Sequence, residues 1–256
     1  MSLFEKITPL ELTDAAASYH YDAALFHAFE KRIWNDIRNY GGGYGHTVSE
    51  HLGRTSSNLA KYMKDSKRYG HDVIRNVGEA FRNHDAGKTL QNPNLYDLPG
   101  KPDQIILDER RMHVFLGEDL LNRYLDTQEF KNLRDHPHLS VTECIMRHHH
   151  ERIDGSGPIG LRGGELGELI EIIGIIDSVD GKSIPRANRM TKSMGECFRE
   201  MTGLSIYTDQ TKHKGEFRLE LLEEIAACLE PGTQEWFLPV RRQEQNNRPL
   251  AYTGHS

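Results

Sequence analysis

The sequence has few cysteines, no long apolar run and no basic N-terminal leader. Cys144, Cys197 and Cys228 lie far apart without CxxC spacing, which favours reduced, packed thiols over a disulfide framework or a zinc ribbon. No apolar run approaches the roughly 20 residues that would span a bilayer. The N-terminus also lacks the basic-then-apolar pattern of a secretory signal. We therefore expect a cytoplasmic protein that does not enter the membrane.

Positive charge is also not in excess. The chain of 256 residues carries 32 Lys and Arg against 38 Asp and Glu, a formal net charge of -6. This balance argues against binding to DNA or RNA polymers, although a local cationic pocket would still suit a small anionic ligand. Histidine, in contrast, is abundant at 14 residues, which makes metal ligation a hypothesis worth pursuing.

Apolar residues recur at three- and four-residue steps through most of the chain, which predicts helices. The run 169–176 is rich enough in isoleucine to form a strand by propensity. We nevertheless predict a buried helix there, because the neighbouring segments read as helical and no partner strand is evident. The predicted fold class is all-α, with helices over residues 14–40, 46–64, 71–84, 107–125, 138–150, 169–176, 191–203 and 216–229.

The segment 147–158 places three consecutive histidines and two carboxylates directly beside a glycine-rich turn. Helical geometry spreads neighbouring side chains around the axis, so some of these imidazoles must face a polar pocket or water. The run is therefore either solvated or half of a metal site.

A second cluster, His84-Asp85, ends a predicted helix and is followed by Gly87 and Lys88. Imidazole and carboxylate together suit metals of borderline hardness, and one carboxylate can bridge two ions. Gly87 lets the chain turn away, which leaves Lys88 to reach an anion near the metal.

Three further residues could converge with these clusters. His51 precedes His84 by enough chain for two antiparallel helices, and His113 begins the next helical region, with Gly117 one turn on to permit close approach. Asp177 follows the apolar run, where an isolated buried carboxylate would be costly unless paired or metal-bound.

The pair His71-Asp72 lacks the following glycine and lysine and is predicted to lie on the surface. His46, His136 and His138 are expected to be solvated, and His148 to flank the site.

In order along the chain, these motifs resemble the HD-GYP branch of the HD-domain metal phosphohydrolases. The resemblance implies an HD-domain helical bundle over residues 44–235, with additional C-terminal helices, a helical N-terminal extension at 1–43 and a C-terminal tail at 236–256. The motifs that carry it are His51 with Arg54, His84-Asp85-x-Gly87-Lys88, Lys101-Pro102, His113-x-x-x-Gly117, His149-His150-Glu151-x-x-Asp154-Gly155-x-Gly157, Gly160-Leu161 and Asp177-x-x-Asp180.

The resemblance implies a cyclic di-GMP phosphodiesterase with two divalent ions, usually iron and sometimes manganese or another metal. Their shared water or hydroxide would attack phosphorus, and Asp85 and Lys88 would be the catalytic residues. Lys88, Arg186 and Arg189 would contact the phosphate or guanine of the substrate. One ion would be held by His51, His84, Asp85 and Asp177, and the other by Asp85, His113, His149 and His150. Independently of the resemblance, Glu151 and Asp154 could orient the histidines, because ligating imidazoles usually donate their other N–H to a carboxylate or carbonyl.

The sequence departs from the family at two places. Gly157-Pro158 stands where the family has Gly-Tyr-Pro, and Thr47 stands where some members have a glutamate that binds a third metal. We therefore expect two metals. The Gly157-Pro158 loop is a candidate contact for a signalling protein partner. Two alternatives stay open: a phosphohydrolase acting on another nucleotide or phosphate ester, and a catalytically weak module that senses cyclic dinucleotides.

Overall fold

A computed structural model describes residues 6–41, 43–96, 98, 102–184, 191–203, 215–233 and 237. Within these ranges the chain is helical and contains no strand, only an isolated bridge between Asp154 and Arg162. The predicted all-α class is confirmed. Among the same residues, no helix is both long and apolar enough to cross a membrane.

Helices of six to 24 residues build this part of the molecule. Short 3-10 turns cover Ala86–Leu90, Pro93–Leu95, Lys131–Leu133 and Gly163–Glu165. The α-helices are α1 Leu12–Ala17, α2 Ala23–Asn39, α3 Gly43–Ser66, α4 His71–Phe81, α5 Gln104–Arg111, α6 His113–Leu125, α7 Pro137–His148, α8 Glu168–Ser183, α9 Met194–Met201 and α10 Leu219–Leu229.

Two of the predicted helices are each divided in the structure. The predicted helix 14–40 is interrupted at residues 18–22, and Asp22 caps α2 by accepting the N–H groups of Ala24 and Leu25. The predicted helix 107–125 is divided at Met112. The Asp22 carboxylate satisfies N–H groups at the start of α2, so it can begin a helix inside a continuous apolar pattern, whereas no side chain caps the start of α6.

The prediction of a buried helix for the apolar run is confirmed. All residues from Leu169 to Asp177 in α8 are buried, and the helix packs against α3, α7, α9 and α10. A helix that is apolar on every side is stable only when other elements surround it. As a result, Asp177 lies deep in the interior.

The first helices belong to the same packed body as the rest of the described chain. Leu12 and Ala16 of α1 are fully buried in one cluster, while α2 buries Phe26, Phe29 and Ile33 in another. Each large apolar side chain contributes about 1.5–3 kcal/mol when fully buried. The N-terminal segment therefore stabilises the bundle that holds the candidate site.

Candidate metal centre

Seven buried or partly buried imidazoles and carboxylates converge between α3, α6, α7 and α8. They form two groups. Within each group the ligand atoms lie within 4.8 Å of one another, so each group could hold a metal ion. One group consists of His51, His84 and Asp177, and the other of Asp85, His113, His149 and His150. The structure thus brings together all seven residues that the resemblance pointed to as ligands.

Asp85 belongs to the second group and also faces the first. Its Oδ2 is 3.7 Å from Nε2 of His51 and 3.7 Å from Nε2 of His84. Its Oδ1 is 3.0 Å from Nε2 of His113 and 3.7 Å from Nε2 of His149. One carboxylate oxygen therefore faces each group, an arrangement that suits a ligand shared by two ions.

Three histidines are oriented by the backbone. The Nδ1 atoms lie at hydrogen-bonding distance from carbonyl oxygens: His84 from Phe81 at 2.8 Å, His113 from Arg110 at 2.6 Å and His149 from Met146 at 2.9 Å. A neutral imidazole that donates through Nδ1 presents a lone pair on Nε2. These bonds therefore favour the tautomer that directs Nε2 towards Asp85, as in histidines that bind metals.

His51 is oriented by a carboxylate. Its Nδ1 is 2.7 Å from Oδ2 of Asp180, and Arg54 holds both oxygens of Asp180 at 2.8 and 3.0 Å. The sequence motif includes Arg54 and Asp180, but their role as orienting groups becomes apparent only in the structure. Although burial opposes the charge, the bonds to Asp177 and Asp180 raise the pKa of His51 to about 9.

Three imidazoles and the Asp85 carboxylate are in the protonation states that metal binding requires. Burial lowers the pKa values of His113, His149 and His150, so these imidazoles are neutral. Burial opposes ionisation of Asp85, yet Lys88 and His84 hold its pKa well below the usual value. Neutral imidazoles and ionised carboxylates have lone pairs available for a cation.

Two buried ligand atoms of the cluster have no hydrogen-bond partner. They are Nε2 of His84 and Oδ1 of Asp85. In addition, Nε2 of His113 and Nε2 of His149 are only 3.2 Å apart. Buried polar atoms are nearly always paired, and a bound cation would satisfy these lone pairs together. The residues present therefore fit a metal centre.

Glycines allow the elements around the cluster to approach closely. A Cβ on Gly87 would lie 2.1 Å from the His113 carbonyl oxygen, and one on Gly117 would lie 2.9 Å from Sδ of Met146. The expectation that Gly117 permits close approach is confirmed. These contacts hold the turn with His84 and Asp85 against α6, and hold α6 against α7.

Glu151 and Asp154 do not orient the histidines, so that prediction was wrong. The Glu151 carboxylate is buried and accepts the backbone N–H groups of Ile159, Gly160 and Leu161 at 2.7, 3.0 and 2.8 Å. Asp154 is exposed and accepts the N–H of Ser156 at 2.9 Å. The loop folds back over Glu151. The carboxylate of Glu151 is therefore occupied by hydrogen bonds from backbone N–H groups of the loop and not from the imidazoles.

Several other predicted residues can be located. Arg186, Arg189 and Lys101 lie outside the described residues, whereas Lys88 contacts the Asp85 carboxylate. The pair His71-Asp72 lies at the surface, as expected, with Asp72 bonded to His20.

The remaining histidines are not all solvated. His46 is exposed, as predicted, and His136 is half-buried. The expectation for His138 was wrong, because it is buried among aromatic rings and pairs with the Tyr19 hydroxyl at 2.9 Å. His148 flanks the cluster and bonds to the Cys144 carbonyl.

A cavity of about 1080 Å³ opens over the cluster. Its walls carry positive charge from Lys88, Arg110, Arg111, Arg152 and Lys182, and aromatic surface from Tyr44 and Tyr96. Sequence reasoning missed these tyrosines and arginines. Tyr44 stands seven positions before His51, two turns along the same helix face, and this spacing could have identified it. The cavity is suited to an anionic ligand larger than phosphate.

No protein-family model and no curated protein matches the chain. Among solved structures, the fold is similar to that of Bd1817, an HDG"Y"P protein from Bdellovibrio bacteriovorus, with 16% sequence identity and a TM-score of 0.52. The similarity covers 71% of this chain and 52% of the other, so the chain spans about half the length of that protein. The chain therefore has the all-α fold of an HD-GYP protein, with a buried cluster that could bind metal.

Proposed function

We propose that the protein is a metal-dependent phosphodiesterase that opens cyclic di-GMP or a related cyclic dinucleotide. The observation that carries this proposal is the pair of buried ligand groups on either side of Asp85, beneath a cavity with cationic walls. Two ligand groups support two ions. Imidazole and carboxylate donors are compatible with iron, and also with manganese or another divalent ion.

His51, His84 and Asp177 would hold one ion, His113, His149 and His150 the other, and Asp85 would contact both. Divalent ions bound there would supply Lewis acidity for the phosphoryl group and activation of water. The Nδ1 bonds to carbonyls and to Asp180 keep the imidazoles in place for this role. Such orienting partners commonly change metal affinity by about 10- to 100-fold.

Lys88 is the best placed cation for the scissile phosphate. Its ammonium contacts Asp85 and lines the cavity, and although burial opposes the charge, Asp85 raises the pKa of Lys88. A charged ammonium at this position would neutralise a phosphoryl oxygen next to the metal ligands. Arg186 and Arg189 remain proposed contacts to the phosphate or guanine of the substrate.

Turnover of cyclic di-GMP by the metal-loaded protein tests the proposal. We expect a linear dinucleotide or mononucleotides on chromatography, with a rate that falls more than about 100-fold in His84→Ala. His71→Ala is a matched control, because His71 also precedes an aspartate but lies at the surface. If neither iron nor manganese supports cleavage, or if His84→Ala is as active as His71→Ala, the proposal is wrong.

The same cavity would accept other phosphate esters, so a panel of phosphomonoesters and cyclic nucleotides identifies the substrate. Tight binding of a cyclic dinucleotide without turnover, with both metals supplied, would instead favour a sensor. The Gly157-Pro158 loop would then be the contact for a signalling partner. Its exposed Ile159 and its anchorage to Glu151 beside His150 support that role.

A further inference from the structure

Two tyrosines form a stacked pair on the wall of the cavity. The ring centroids of Tyr44 and Tyr96 are 4.9 Å apart, and the ring planes differ by 14°. Tyr44 lies in the first turn of α3, and Tyr96 follows the 3-10 turn Pro93–Leu95. Both rings line the cavity and both residues are partly exposed. The pair therefore presents aromatic surface to whatever occupies the cavity.

Two cations approach the same pair. Nζ of Lys88 and Cζ of Arg110 each lie 5.5 Å from the centroid of the Tyr96 ring. Arg110 is held in place by the bond from its Nε to the Leu95 carbonyl at 2.7 Å. Lys88 also contacts Asp85, so the aromatic wall adjoins the candidate metal centre through a single side chain.

A purely structural role does not account for this arrangement. Aromatic rings that only fill the core, such as Phe29 and Phe198, are buried in this protein, whereas Tyr44 and Tyr96 are partly exposed. A cation–π contact alone does not indicate a ligand site either, because such a contact also occurs away from the cavity, between Arg82 and Trp34. Trp34 lies 5.3 Å from Cζ of Arg82 but does not line the cavity over the cluster. The tyrosine pair combines partly exposed rings with cation–π contacts, and it does so inside the cavity.

We infer that the Tyr44–Tyr96 pair is a nucleobase subsite. A base packs against the aromatic wall while the phosphate of the same nucleotide reaches Lys88 and the ligand groups beside Asp85. Stacking on an aromatic side chain is tolerant of base identity and strengthens binding by about tenfold per base. The inference rests on the proposed phosphodiesterase function and assigns the tyrosine pair as the place where a base of its nucleotide substrate binds.

Binding measurements with GMP and ribose 5-phosphate test the subsite, because the two ligands share a sugar phosphate and differ in the base. We expect the full chain to bind GMP about tenfold more tightly than ribose 5-phosphate by calorimetry. Tyr44→Leu should remove most of this difference, and Tyr44→Phe should keep it. Trp34→Leu is the matched control and should also keep the difference.

Equal affinity of the unmodified protein for the two ligands would overturn the inference, and so would an unchanged ratio in Tyr44→Leu. If Tyr44→Leu does not fold, nuclear Overhauser contacts between guanine H8 of bound GMP and the Tyr44 ring in the unmodified protein decide the matter. Their presence supports the subsite, and their absence excludes it. Because these readouts are binding and not turnover, absent hydrolysis with an intact GMP preference would refute only the proposed activity.

Discussion

At the scale of single residues, the Glu151 carboxylate connects the loop 151–161 to the segment that carries His149 and His150. It accepts hydrogen bonds from three backbone N–H groups of the loop, and Gly157 packs so closely that a Cβ there would lie 2.6 Å from Oε1 of Glu151. A carboxylate was expected at this position to orient imidazoles. Its actual role depends on the path of the loop, which no local pattern in the sequence encodes.

Glu151→Gln should lower the free energy of unfolding by about 2–3 kcal/mol, because an amide nitrogen would face a backbone N–H in a buried site. Urea denaturation measures the change. Glu129→Gln, at an exposed position, is the matched control and should have little effect. Equal stability of the two variants would show that the Glu151 bonds do not hold the loop.

The buried carboxyl of Glu143, which is not part of the candidate metal centre, should make the stability of the protein depend on pH. Burial raises the pKa of Glu143 to about 7 from a usual value of 4.5, although Lys6 and Arg147 lie about 4 Å from its Oε1. Folding thus favours the protonated form. The contribution of this group to stability is fully present below about pH 4.5 and is lost as the pH rises through about 7.

Glu143→Gln should therefore become more stable than the unmodified protein as the pH rises from 5 to 8. The gain should be at most about 3 kcal/mol, since each pKa unit corresponds to about 1.4 kcal/mol. Unfolding free energies measured across this range check the expectation. A difference that stays constant with pH would mean that Glu143 is ionised at neutral pH in the folded protein.

At the scale of elements, close packing of the turn after α4 against α6 sets the position of His84 and Asp85. Gly87→Ala would place a Cβ against the His113 backbone, so we expect a loss of about 1–3 kcal/mol in stability, together with weaker metal binding. Gly53→Ala is the matched control. It lies within α3 with nothing near the new Cβ and should be neutral or up to about 1 kcal/mol more stable. Thermal unfolding and metal content are the measurements, and equal behaviour of the two variants would contradict this account of the packing.

The sequence predicted the helical elements well and their ends less well. The periodicity of apolar residues gave α8 correctly, including its burial, because an apolar run flanked by helices has to pack on all sides. Periodicity did not reveal the breaks before α2 and α6, where the apolar pattern continues through the turn. His138 was misjudged for a related reason: its burial depends on Tyr19 and Phe26, which are distant in sequence.

At the scale of the whole molecule, the candidate centre exists only because the bundle brings distant segments together. His51, His113 and Asp177 come from three different helices, and no local spacing relates them. The family resemblance therefore supplied the ligand set, whereas the residues alone gave only clusters with metal-binding chemistry. Tyr96 and the arginines of the cavity wall were missed because they belong to no motif and are brought to the site by the fold, whereas Tyr44 could have been found from its spacing to His51.

The number of metal ions bound per chain tests the central claim most directly. Elemental analysis of anaerobically purified protein, supplied with iron and with manganese, should give two ions per chain. Asp85→Ala should retain fewer, because Asp85 is the residue that faces both ligand groups. A chain that binds neither metal, or that keeps the same metal content without Asp85, would contradict a two-metal centre.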